Sequence, residues 1–200
     1  MRKKAVKIGV LDIQGSVIEH VAALEKVGAE VVRVKNIADL ASVAGLIIPG
    51  GESTTIGKLL GWYGLGEEIR RRVLEGSLGL WGTCAGAILM AKKIVGRQTA
   101  DSLGLMDIVV ERNAYGRQID SFECELEFAG KKIPAVFIRA PKIVSVGKGV
   151  EVLAEFEGEI VACREGKMLA TSFHPEMTDG VEVHRWWVEV LGIACDSWEN

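Results

Sequence analysis

The sequence predicts an α/β fold with three layers: an open, mostly parallel sheet covered by helices on both faces, with antiparallel strands added at one edge. Three observations predict it. The first half alternates short apolar, β-rich runs with segments of helical periodicity. Several of those runs are continuous in their apolarity, as strands buried on both faces are. The second half changes to short strands separated by Gly-containing turns, which suits added antiparallel pairing.

Val6 to Ile13 is the first strand, closed by Gln14-Gly15. Ser16 can cap a helix whose apolar stripe is Val17, Val21, Leu24 and Val27, and Gly28 ends it. Glu30 to Val34 is the second strand, Ala38 to Val43 a short helical or turn segment, and Gly45 to Pro49 the third strand. Ser53 to Trp62 and Leu65 to Glu75 are helical in pattern; Leu78 to Trp81 is a fourth buried strand, with a helix from Ala85 to Lys93 directly after it. Asp107–Val110, Ser121–Phe128, Lys132–Ile138, Val150–Phe156, Ile160–Arg164 and Met168–Ser172 read as strands of the added set. A last helix carries Val183, Trp186, Trp187, Val190 and Leu191 on one stripe. Neither a repeat nor a linker interrupts the 200 residues, so one domain is expected over 1–200.

Composition narrows the function. Lys plus Arg number 24 against 27 acids, a net charge of −3, which argues against a nucleic-acid or membrane-surface partner. The apolar stretch behind Met1-Arg2-Lys3-Lys4 is short and broken by Asp12, and Leu78 to Ala91 is too short to cross a bilayer, so a cytoplasmic protein is expected. Cys84, Cys124, Cys163 and Cys195 have neither CxxC spacing nor the density of a disulfide framework, and no zinc or other metal site fits the Cys and His spacings.

Cys84 stands apart from the other three. Gly82-Thr83-Cys84-Ala85-Gly86 lies where a buried strand feeds a helix, a thiol version of the nucleophile elbow. A helix N-terminus lowers a thiol pKa, and the free N–H of Ala85 can stabilise an oxyanion. A small buried cysteine flanked by packing glycines would leave the same pattern. A nucleophilic thiol also needs a base. His20 and His184 read as helix surface residues, whereas His174 follows a strand in His174-Pro175-Glu176. Pro175 keeps His174 out of the helical region, and in an extended chain Glu176 points the same way and can fix the imidazole tautomer. An incidental turn histidine beside an acid is the plainer alternative. Opposite the elbow, Pro49-Gly50-Gly51-Glu52-Ser53 ends another strand, where open α/β sheets bind ligands. Its glycines can aim an N–H at a substrate carbonyl, and Ser53 can cap the next helix.

Pro49-Gly50-Gly51-Glu52-Ser53, Gly82-Thr83-Cys84-Ala85-Gly86 and His174-Pro175-Glu176, in this order, resemble the class I glutamine amidotransferase domains, whose sheet is flavodoxin-like. Gly9 to Gly15, Pro49 to Thr55, Glu111 to Gln118 and Phe137 to Pro141 narrow the resemblance to the glutaminase subunits of pyridoxal 5′-phosphate synthase, the PdxT/SNO family. The resemblance implies Cys84 as nucleophile, His174 as general acid/base and Glu176 as its orienting carboxylate. It implies Gly51 and Ala85 as oxyanion donors, with Gly51, Glu52, Ser53, Arg112, Ile138 and Arg139 holding L-glutamine. It further implies no cofactor, ammonia delivery to a separate PdxS/SNZ-type synthase subunit, and Gln14 at the interface with that partner. Asp12-Ile13 before Gln14 departs from the small or apolar residue and Leu usual in the family. Two other readings stay open: another cysteine hydrolase on a similar fold, such as a peptidase or deglycase, and a non-enzymatic binding module.

Overall fold

The computed structural model describes residues 7–96, 102–112 and 121–193. Val6, the 113–118 part of the arginine motif and Cys195 lie outside them. In chain order the elements are β1 (Lys7–Leu11), α1 (Val17–Lys26), β2 (Glu30–Val34), α2 (Ile37–Ala41), β3 (Gly45–Ile48), α3 (Ser53–Trp62), α4 (Leu65–Leu74), β4 (Gly79–Thr83) and α5 (Ala85–Met90). There follow β5 (Ala91–Ile94), β6 (Met106–Glu111), β7 (Ser121–Phe128), β8 (Lys131–Ile138), β9 (Lys142–Val146), β10 (Glu151–Phe156), β11 (Glu159–Glu165), β12 (Met168–Thr171) and α6 (Glu182–Val190).

The main sheet runs β2-β1-β3-β4-β12-β11-β9-β6-β5, with β10 paired to β11. From β2 to β12 every pairing is parallel. That block has the doubly wound order in which strand direction of progress reverses between β1 and β3, and ligands of such sheets bind outside the carboxyl ends at that switch. Alternation along the strands divides the core in two. Leu46, Ile48 and Leu80 pack under α3, α4 and α5, while Ile47, Trp81 and Leu169 face α1 and α6. Helices therefore cover both faces, as expected of a parallel sheet.

Several elements depart from the sequence reading. β12 was expected in the antiparallel set; it is antiparallel to β11 but parallel to β4, because a hairpin fixes only one of its edges. β7 and β8 form a separate two-stranded sheet whose Phe122 and Phe137 rings stack at 4.6 Å. β9 has no counterpart among the strands read from the sequence. The helix after Cys84 stops at Met90, since Ala91–Ile94 is the strand β5 with Lys92 and Lys93 turned to solvent. Neither serine caps its helix: Ser16 makes no side-chain cap bond, and Glu52 occupies the cap of α3, accepting from the N–H groups of Thr54 and Thr55.

Candidate active site

β4 delivers Cys84 at the sheet edge with φ 48° and ψ −101°, a left-handed conformation costly for any residue with a Cβ. The turn is held by the Cys84 N–H, which donates to the Thr171 carbonyl at 2.8 Å. The flanking glycines are sterically required. A Cβ on Gly82 would fall 2.6 Å from the Ala87 nitrogen, and one on Gly86 would fall onto the Ile48 carbonyl. α5 is six residues long, so what acts on Cys84 is its first-turn N–H groups, Ala85 among them, rather than a long macrodipole. Every residue of α5 is buried, which fixes the turn rigidly against the core.

β12 brings His174 to the same edge. His174 hydrogen bonds to Cys84 on one side, and its Nδ1 lies 2.8 Å from Glu176 Oε1 on the other. The i, i+2 contact arises differently from the extended chain expected of it: Pro175–Met177 is a 3₁₀ turn that begins directly after His174. The thiol also sits 3.8 Å from the Ile138 carbonyl oxygen. Burial alone would pull His174 down. Its bonds to Cys84 and Glu176, and their charges, outweigh that and hold the imidazole well above the ordinary histidine value. Burial likewise opposes ionisation of Glu176, yet the facing His20 and His174 and the Ser16 hydroxyl hold it well below the usual carboxylate range. An acid thus stays charged while 5% exposed.

The Ser16 hydroxyl, read from sequence as a helix cap, donates to Glu176 Oε1 at 2.7 Å. His20 and His184, read as helix surface residues, are both fully buried. His20 lies 3.0 Å from His184 and 3.5 Å from Glu176 Oε1. The misreading has a physical cause, since helical spacing tells which residues share a face but not whether a polar one among them has buried partners.

Facing the elbow, β3 leads into Gly50-Gly51. Gly50 is bare because the His174 ring stands where its Cβ would be. Gly51 is bare because the Gln14 side chain occupies the corresponding space. Gln14 Oε1 accepts from the Glu52 N–H at 2.9 Å, and the Gly50 carbonyl accepts from the Ser16 N–H at 3.1 Å, so the β1–α1 junction holds this loop. Arg112 closes the other side, donating to Glu52 Oε1 and Thr54 Oγ1, each at 3.2 Å. Asp12 is taken up by Arg33 at 2.8 Å and Lys35 at 3.3 Å.

These segments enclose a cleft of about 400 Å³. Gly51, Glu52, Ser53, Cys84, Ala85, Arg112, Ile138, Arg139 and His174 all line it; Glu176 lies directly behind His174, and Gln14 behind Gly51. Arg139 holds φ 44° at the end of β8 and is exposed into the cleft. Sequence reasoning did not place five lining residues in the site: Gly15, Ser16, Gly50, Ile88 and Met177. Gly50 carried a signal, as one of a glycine pair opposite the Cys84 turn, and Gly15 as the end of the Gly9 to Gly15 motif. Among the described residues no cluster of His, Cys, Asp and Glu could hold a metal, and no helix is long and apolar enough to cross a membrane.

The fold is that of the glutamine amidotransferases. A solved structure described as a glutamine amidotransferase is 50% identical and superposes with a TM-score of 0.90, over 93% of this chain and 99% of that one. The chain belongs to the SNO glutamine amidotransferase family, whose model it matches over residues 10–192. It is 51% identical over 187 residues to the pyridoxal 5′-phosphate synthase subunit PdxT of Thermus thermophilus, covering 93% of this chain and 98% of that one. It is 52% identical to the PdxT subunit of Niallia circulans, with the same coverage. A glutamine amidotransferase of Thermotoga maritima, 14% identical with a TM-score of 0.62 over 95% of this chain and 84% of that one, shares the fold.

Proposed function

We propose that this chain is a single glutaminase domain that hydrolyses L-glutamine to glutamate and ammonia, and supplies the ammonia to the synthase subunit of pyridoxal 5′-phosphate synthase. The observation that carries the reading is the Cys84–His174–Glu176 relay at the cleft, with His174 Nδ1 2.8 Å from Glu176. The thiolate of Cys84 attacks the side-chain carbonyl of glutamine. The N–H groups of Gly51 and Ala85 receive the developing oxyanion. His174 gives a proton to the departing nitrogen, which leaves as ammonia and a γ-glutamyl thioester on Cys84. Water, deprotonated by His174, attacks the thioester; the C–S bond breaks, glutamate leaves and the thiolate returns. Glu176 keeps the imidazole in the tautomer that presents its other nitrogen to sulfur.

The cleft suits an amino acid with both charges. Arg112 and Arg139 offer guanidinium groups for the α-carboxylate, Glu52 offers an acceptor for the α-ammonium, and Ser53 and Ile138 line the approach. No step calls for a metal or cofactor. Gln14 lies at the edge where the partner is placed by this reading, and the described thiols Cys84, Cys124 and Cys163 are free, as suits a cytoplasmic location.

The test is ammonia release from glutamine by wild type and Cys84→Ala, each with and without the synthase subunit. Wild type in the complex is expected to turn over and Cys84→Ala to be inactive. Hydrolysis surviving in Cys84→Ala would end the reading. So would covalent trapping by a glutamine-like electrophile that maps to a different cysteine.

A further inference from the structure

Behind the triad carboxylate, the sheet face under α1 and α6 holds two imidazoles that the hydrolytic cycle leaves unused. His20 on α1 and His184 on α6 are fully buried, against the largest aromatic side chains of that core. Trp81 meets both rings edge-on, at 5.5 Å from His20 and 4.8 Å from His184. Polar rings do not enter such surroundings without compensation, so their hydrogen bonds decide what they do.

The bonds form a line. His20 Nδ1 lies 3.0 Å from His184 Nε2; on its far side His20 Nε2 lies 3.2 Å from Thr83 Oγ1 and 3.5 Å from Glu176 Oε1. Burial holds both imidazoles below the ordinary histidine value, and so neutral, with the Glu176 charge opposing only in part. Two neutral imidazoles bond only when one presents N–H and the other a bare nitrogen. His184 Nδ1 has no hydrogen-bond partner among the described residues, and a bare nitrogen tolerates this better than an N–H. The proton of His184 is therefore on Nε2 and is donated to His20 Nδ1. That leaves the His20 proton on Nε2, aimed at the Thr83 hydroxyl and the Glu176 carboxylate.

We propose that His20, its tautomer set by His184, is a positioning residue for Glu176. Its Nε2–H faces the same oxygen that accepts from Ser16 and His174, and it fixes that oxygen on the His174 imidazole. Neutrality matters to this role. A protonated His20 would compete with His174 for the single buried negative charge, whereas a neutral donor orients the carboxylate and leaves its charge to the imidazolium that forms in the cycle. The inference rests on the glutaminase reading for its kinetic readout and on the free chain for its spectroscopic one.

The test compares His20→Gln, which keeps an N–H donor near the Nε2 position, with His20→Asn, which keeps one near Nδ1 only, and with His20→Leu, which keeps none. Glutamine hydrolysis is measured in the complex with the synthase subunit, alongside wild type and Cys84→Ala. His20→Asn and His20→Leu are expected to lower kcat about tenfold or more with KM for glutamine within about twofold, and His20→Gln to recover most of the loss. In the full chain alone, the nitrogen-coupled proton resonance of His174 Nδ1–H is expected downfield in wild type and His20→Gln and shifted upfield in His20→Asn. Should the Leu variant fail to fold, the Asn and Gln pair decides. Equal kcat for Asn and Gln, or an unmoved His174 resonance in the Asn variant, overturns the proposal. If wild type and Cys84→Ala hydrolyse glutamine alike, the glutaminase reading fails, and the resonance still decides the role of His20.

Discussion

Gly50→Ala is the smallest change that should disable the proposed site, because the added methyl has only the His174 imidazole to displace. Built on the observed backbone, the new Cβ falls inside contact with His174 Cε1, and lies 3.0 Å from Nδ1 and 3.3 Å from Nε2. Ordinary carbon contacts begin near 3.5 Å, so ring or loop must give by on the order of 1 Å. The ring cannot give freely. Glu176 holds Nδ1 at 2.8 Å, and Cys84 hydrogen bonds to the same side chain. The loop cannot give freely either, since the Gly50 carbonyl is bonded to the Ser16 N–H and Gly51 is seated against Gln14. A misplacement of about 1 Å in a reacting group costs roughly 100-fold in rate, equivalent to about 2.7 kcal/mol of barrier. Steady-state glutamine hydrolysis by the complex is expected to show that loss in kcat, with KM changed little because Arg112 and Arg139 are untouched. Thermal melting separates lost alignment from lost folding. A folded Gly50→Ala protein with kcat within about threefold of wild type would refute the steric argument.

Other expectations follow from the same geometry. Ser16→Ala removes the hydroxyl that donates to Glu176 at 2.7 Å, a charge-assisted bond worth about 1.5–3 kcal/mol. Glu176 is depressed in the folded state, so its contribution is present above the ordinary carboxylate pKa and lost as pH falls through the lowered value. Without Ser16 that loss begins at higher pH, so the acid unfolding midpoint followed by circular dichroism should rise. Burial nudges Glu52 upward, but hydrogen bonds from Thr55 and Thr54 outweigh it and bring Glu52 to about 2. Glu52→Ala, which removes the cap of α3 as well, should cost about 1 kcal/mol in denaturant titrations near neutral pH, with the difference vanishing as pH falls toward 2. Burial, helped by the Glu165 charge, pushes the Cys163 thiol up to about 12. Mass spectrometry after iodoacetamide should find Cys163 unmodified in native protein and modified once denatured, with Cys84 labelled in the native state.

The features legible in the sequence are those that local sterics dictate. Gly82 and Gly86 can be read because a Cβ at either position strikes backbone, so the tight turn at Cys84 announces itself without a structure. The parallel block was legible because Gly45–Ile48 and Gly79–Thr83 are buried on both faces and carry no alternation. Pairing of the second half was not, because a period of two marks a strand but not its neighbours: β12 uses one edge for β11 and the other for β4. The supporting shell of the site was illegible for a related reason. Ser16 sits where an N-cap belongs and His20 sits on an ordinary helix, and what claims them is Glu176, more than 150 residues away in the chain.

That distance explains why the β1–α1 junction carries so much of the site. Gln14 positions the Glu52 N–H, the Ser16 N–H positions the Gly50 carbonyl, and the Ser16 hydroxyl positions Glu176. Gly15, at φ +114°, presses so closely on Gly50 that a Cβ would fall onto its carbonyl oxygen. One turn further on, His20 reaches the same carboxylate. The loop with the Gly51 N–H and the relay behind His174 are therefore not independent: both hang on seven consecutive residues, Gln14 to His20. Displacing that segment by a fraction of an ångström moves the Gly51 loop and the Glu176 carboxylate together, so a partner seated on this edge would act on both halves of the proposed chemistry through one contact. The other face of the sheet offers no such lever, because α5 is buried along its whole length and can only hold Cys84 still.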